Sequence, residues 1–150
     1  SSKSTNLLGM ELDEQRAEKL NLYIENNRNA FVRKARIEDF GSVNETYDIV
    51  LMYDLLSRVK KNYGETYLKK VIREGKRILK SNGTIVIAEK SQVEPTSFLN
   101  KLINLFFNNK SGLKLDDATK YVIDAGLIPM KKENIIEGED SFFLIKLRKN

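Results

Sequence analysis

The chain has 150 residues, 26 lysines and arginines against 21 acidic residues, a formal net charge of +5, no cysteine and no histidine. That length suits one domain with a sizeable core. The missing cysteine excludes disulfides, thiolate metal sites and cysteine nucleophiles, and the missing histidine leaves Asp, Glu, Lys and Tyr for proton transfer, with no metal site expected. No apolar run approaches the roughly 20 residues that cross a bilayer. The serine-rich start lacks the apolar core of a signal peptide, so a soluble cytoplasmic protein without a membrane role is expected. The positive charge admits an anionic partner, or it reflects solvated lysine-rich helix faces.

In chain order, residues 1–5 form a polar end, and Asn6-Leu7-Leu8-Gly9-Met10-Glu11 reads as a short strand. Asp13 is a good N-cap for a helix over residues 14–27, with Ala17, Leu20, Tyr23 and Ile24 on one stripe and Asn26-Asn27 as its stop. Residues 30–36 form a strand whose Arg33, Lys34 and Arg36 suit an exposed sheet edge. Ile37-Glu38-Asp39-Phe40 leads into a Gly41-Ser42 turn. Tyr47 to Tyr53 is a nearly continuous apolar run, as in a central strand buried on both faces. Asp54 then serves either as N-cap of a helix starting at Leu55 or as a site residue.

Residues 64–80 place Leu68, Val71, Ile72, Ile78 and Leu79 on one helix face, with Lys69, Lys70, Arg73, Lys76, Arg77 and Lys80 opposite. Asn82-Gly83 supplies a turn whose glycine can take positive φ, before a β-branched strand from Thr84 that ends at Glu89. Strand, helix and strand together predict a right-handed crossover unit in a parallel sheet. After a loop, Phe98, Leu99, Leu102, Ile103, Leu105, Phe106 and Phe107 crowd one apolar helix that packs in the core or shapes a pocket or partner surface. A helix over 115–125 with Gly126 as its stop precedes strands over 127–136 and 141–148 around Glu137-Gly138-Glu139-Asp140, a hairpin signal.

Tyr47-Asp48-Ile49-Val50, followed by Arg77-Ile78-Leu79-Lys80-Ser81-Asn82-Gly83-Thr84-Ile85-Val86-Ile87, resembles the later motifs of class I S-adenosylmethionine-dependent methyltransferases, with Ser81-Asn82-Gly83 in place of the family's Pro-Gly-Gly. The antiparallel tail is similar too. The resemblance implies a single α/β domain over 1–150, a Rossmann-like methyltransferase-type sandwich with a mostly parallel sheet and an antiparallel C-terminal hairpin. It also implies methyl transfer from S-adenosylmethionine to an unidentified acceptor.

By the same resemblance Glu11 accepts the ribose hydroxyls with Leu12 beside it, Ile37 and Glu38 lie near adenine, and Tyr53 lines the cofactor site. Asp54 and Glu89 are the catalytic candidates. Arg36 stands where many members have Asp. The family's first strand and Gly-x-Gly-x-Gly loop are not in these 150 residues. In the family's count the strands would run 3-2, a gap, then 4-5-7-6. The gap is filled by an earlier part of a longer chain, by direct pairing of strands two and four, or by another chain, either a homo-oligomer copy or a partner. The competing reading is a catalytically inactive methyltransferase-like module that binds a protein or RNA partner through Lys69, Arg73, Lys76 and Lys80.

Overall fold

The computed structural model describes residues 6–26, 29–36, 44–90, 113–137 and 140–150, and the chain divides between Ser42 and Val43 into two units. The first holds β1 (Leu7–Glu11), α1 (Glu14–Ile24) and β2 (Ala30–Lys34). β1 and β2 pair in parallel from Leu7↔Ala30 to Glu11↔Lys34. Asp13 caps α1 as its side chain predicts, accepting the Arg16 amide at 2.9 Å. Of the predicted stripe, Ala17 is buried and Ile24 half-buried, while Leu20 and Tyr23 are exposed. A two-stranded sheet is too narrow to cover the whole stripe. Asn21 does a job that periodicity does not show. Its side-chain amide donates to the Val32 carbonyl at 2.6 Å and accepts the Val32 amide at 2.9 Å, satisfying a backbone donor and acceptor of β2.

The second unit holds β3 (Tyr47–Tyr53), α2 (Leu56–Ile78), β4 (Leu79–Lys90), α3 (Leu115–Asp124), β5 (Leu127–Glu137) and β6 (Asp140–Lys149). Its sheet runs β3-β4-β6-β5. β3 and β4 are parallel across α2, as the crossover reading predicts. β6 pairs antiparallel with both β4 and β5, and the Glu137↔Asp140 pair closes the expected hairpin. Alternate residues of β4 and β6, namely Ile85, Ile87, Phe143, Ile145 and Leu147, are buried with Leu56, Leu68 and Ile72 of α2 and Val122 of α3. Gly75 lets α2 lie against β3, because a Cβ there would overlap the Met52 side chain. The glycine stop of α3 is Gly126, at φ 72°.

Several local expectations change. β3 has the sequence of a central strand but lies at an edge of this sheet, with Ile49, Leu51 and Tyr53 67%, 63% and 61% exposed. Gly83 does not take positive φ. β4 begins directly after α2, its pairing with β3 jumps between Tyr47↔Leu79 and Ile49↔Thr84, and a Cβ on Gly83 would come within 2.8 Å of the Asp48 carbonyl oxygen. Close approach, rather than a turn, requires glycine there.

α2 is broken at Gly64, whose φ of 83° and ψ of 176° are non-helical, so the predicted helix over 64–80 is the second part of a longer element. β1 pairs within a two-stranded sheet and β3 within a four-stranded one. The apolar helix expected around Phe106 and Phe107 lies outside the described residues. Among the described residues no helix is long and apolar enough to cross a membrane.

Candidate functional site

In an open α/β sheet, ligands bind beyond the carboxyl ends of parallel strands. β3 and β4 end together there, with Tyr53 opposite Ala88, and the Asp54 amide donates to the Ala88 carbonyl at 2.8 Å. The next residues begin α2, whose first amides have no partner within the helix. The N-cap position is Leu55, which has no side-chain acceptor to offer. Glu89, at the end of β4, supplies it. Its carboxylate accepts the amides of Leu55 at 2.8 Å, Leu56 at 2.6 Å and Ser57 at 3.2 Å, and the Ser57 hydroxyl at 2.7 Å. The Ser57 Oγ in turn accepts the Leu113 amide at 3.1 Å. Placing this negative group at a helix N-terminus also meets the positive end of the helix dipole.

Both assignments made from the sequence around this junction shift. Asp54 is not the N-cap; that role falls to Glu89, from a strand more than thirty residues away. Glu89 is fully buried, and four donors take up the roughly four lone-pair positions a carboxylate offers. It holds the junction rather than presenting a free acceptor. Asp54 sits in the left-handed region at φ 43°, a conformation Asp tolerates better than most side chains. Its carboxylate pairs with Arg58 at 2.9 Å, and Arg58 Nε donates to the Asp54 carbonyl at 2.7 Å. The fold thus brings Tyr53, Asp54 and Glu89 to one strand end. Of the three, Tyr53 and Asp54 are accessible.

In the first unit, Glu11 ends β1. Its Oε1 accepts the amides of Leu12 at 2.8 Å and Asp13 at 3.1 Å. Both bonds fall on one oxygen, leaving Oε2 for further donors. An anchored carboxylate with an unused oxygen fits the recognition of a sugar diol, whose hydroxyls need acceptors. Leu12 is exposed beside it. Ile37 and Glu38 lie outside the described residues. Among the described residues no cluster of three metal-ligating side chains occurs.

Most of the expected basic footprint, which falls on α2 and the start of β4, is engaged within the fold. Lys69 pairs with Glu65 at 2.7 Å. Lys76 donates to the carbonyls of Ala125 and Gly126 at 3.1 and 2.9 Å, and Lys80 pairs with Asp48 at 2.9 Å. The Lys69 hydrogen bond, followed by one from the Tyr121 hydroxyl, holds the Glu65 carboxyl below its ordinary value. Lys69 is correspondingly raised, chiefly by its bond to Glu65.

A sheet that joins a parallel crossover unit to an antiparallel hairpin has the Rossmann-like architecture of class I S-adenosylmethionine-dependent methyltransferases. A family model described as a methyltransferase domain matches residues 2–87, more than half of the chain, and the chain belongs to that family. No curated protein sequence matches it.

Among solved structures, a SAM-dependent methyltransferase from Thermotoga maritima is similar at 21% identity and a TM-score of 0.66, over 96% of this chain and 73% of that one. The N-methyltransferase NodS from Bradyrhizobium japonicum, bound to S-adenosyl-L-homocysteine, is similar at 11% identity and a TM-score of 0.67, over 96% of this chain and 66% of that one. The [4+2]-cyclase SpnF is similar at 8% identity and a TM-score of 0.72, over 99% of this chain and 67% of that one. At these identities the likeness is one of fold, and SpnF is named for a different reaction.

Proposed function

We propose that this chain carries out methyl transfer from S-adenosylmethionine, with Glu11 as the ribose acceptor. The observation that carries the reading is the Glu11 carboxylate, fixed through Oε1 by the Leu12 and Asp13 amides at the end of a parallel strand. Leu12 lies beside it, and Ile37 and Glu38 are assigned to adenine. The bound cofactor supplies the electrophilic methyl group. The chain's own task is then alignment and exclusion of water, because an acceptor that is already nucleophilic needs little proton transfer. Tyr53 and Asp54 are the groups for orienting the acceptor, and Glu89 keeps the β3–α2 junction on which they sit in place.

Calorimetric titration with S-adenosylmethionine and S-adenosylhomocysteine tests this. Glu11→Ala is expected to weaken both by roughly 10- to 100-fold, the loss of a charge-assisted hydrogen-bonding pair. Equal affinity in a folded Glu11→Ala protein would remove Glu11 from the site.

A second reading is a methyltransferase-like module that holds a partner without transferring a methyl group. It draws support from the exposed Ile49, Leu51 and Tyr53 row on edge strand β3.

A further inference from the structure

α2 carries a feature that the methyl-transfer reading does not use. At Gly64 the helix breaks, in open space, with no atom within 4 Å of an added Cβ. Tyr63 stands just before the break and Tyr67 one turn after it, their ring centroids 5.1 Å apart and their planes tilted by 43°. The two rings, Thr66, Lys70, Arg73 and Glu74 line an open groove of about 580 Å³. Lys70 Nζ lies 5.9 Å from the Tyr67 ring centroid. Glu74, the one acidic residue in the lining, is paired with Arg77 at 2.9 Å.

The basic charge along α2 and the first residues of β4 is unevenly engaged. Lys69, Lys76 and Lys80 are tied to Glu65, to carbonyls and to Asp48. Arg73 is exposed and enters no ion pair among the described residues. Beside Arg73 the same helix carries a pair of aromatic rings, one of them half-exposed Tyr63, and the Lys70 ammonium near the Tyr67 ring.

We propose that this groove binds single-stranded nucleic acid, with bases stacking on Tyr63 and Tyr67 and the backbone phosphates meeting Arg73. Aromatic rings interleaved with cations form a platform that accepts any unstacked base. A duplex does not offer its base faces, so it is a poor ligand for such a platform. The net charge of +5 favours the encounter. The residues of this groove are not those assigned to methyl transfer, and the inference stands whether or not the chain transfers methyl groups.

The test is fluorescence anisotropy with a labelled uridine-rich RNA, a thymidine-rich DNA of equal length and the corresponding duplex, all without added cofactor. Tyr63→Ala with Tyr67→Ala is expected to weaken single-strand binding at least about tenfold, and Tyr63→Phe with Tyr67→Phe to restore it. Arg73→Gln, at an exposed position, tests the phosphate contact separately should the double alanine variant fail to fold; it should lower the salt slope by about 0.7. Binding of RNA alone, of DNA alone or of both supports the groove and identifies which strand it takes. Duplex binding as tight as single-strand binding overturns the proposal. So does undiminished affinity in a folded double alanine variant, an unchanged salt slope in Arg73→Gln, or no binding by the folded wild-type chain.

Discussion

Glu89 is the residue whose role changes most between sequence and structure. At the end of a strand it reads as a catalytic carboxylate; in the fold it is buried and accepts three backbone amides and the Ser57 hydroxyl. Glu89→Ala leaves those donors without a partner in the core. A loss of about 3 kcal/mol or more is expected, measured as a lower urea midpoint at unchanged slope. Glu89→Gln should also destabilise, because its NH₂ faces donors where a carboxylate oxygen accepted them. Were Glu89 a proton acceptor instead, the glutamine variant would keep its stability and lose only turnover. Asp54 behaves oppositely. Its φ of 43° is accessible to Asn, so Asp54→Asn should stay within about 0.5 kcal/mol of wild type. Asp54→Val should cost about 1–2 kcal/mol in the same titration, since a β-branched side chain resists this conformation.

At the scale of elements, α2 shows what periodicity reveals and what it hides. The Leu68, Val71, Ile72 and Ile78 spacing locates its buried face correctly, and the Ala125-Gly126 stop of α3 is equally legible. The cap is not legible, because it comes from a strand distant in sequence. The break at Gly64 is legible only as a helix start. Gly64→Ala should cost about 1–3 kcal/mol, since φ 83° with ψ 176° is nearly restricted to glycine.

Just past the break, Glu65, Lys69 and Tyr121 link α2 to α3. The folded Glu65 carboxyl lies below its ordinary 4.5. Its contribution is therefore present above that value and fades as pH falls through the lower folded one. Lys69 is raised above 10.5, so its share is present below that value and fades as pH rises through the folded one. Thermal melts should show Glu65→Gln less stable than wild type at about pH 7, with the gap closing toward about pH 3. A gap that stays constant across this range would mean that the pair contributes nothing through its charge.

On the scale of the whole molecule, the strand orders 3-2 and 4-5-7-6 of the family's count appear as β2-β1 and β3-β4-β6-β5. What the sequence could not supply is the environment of β3. Its apolar run matches a strand covered on both faces, yet it lies at an edge with one face exposed. Other edges are defended differently: β2 carries Arg33 and Lys34, and β5 carries Lys131, Lys132 and Glu133, charges that oppose strand addition. β3 has Asp48 alone, and Lys80 neutralises it. We propose that this undefended edge is covered either by a second copy or by a different strand, from an earlier part of a longer chain or from another chain. Sedimentation velocity over a range of concentrations separates the two. Growth of a dimer that Leu51→Lys abolishes, at a stability cost within about 0.5 kcal/mol for so exposed a position, would assign the edge to self-pairing. A wild-type chain that stays monomeric throughout would exclude the second copy and leave β3 to a different strand.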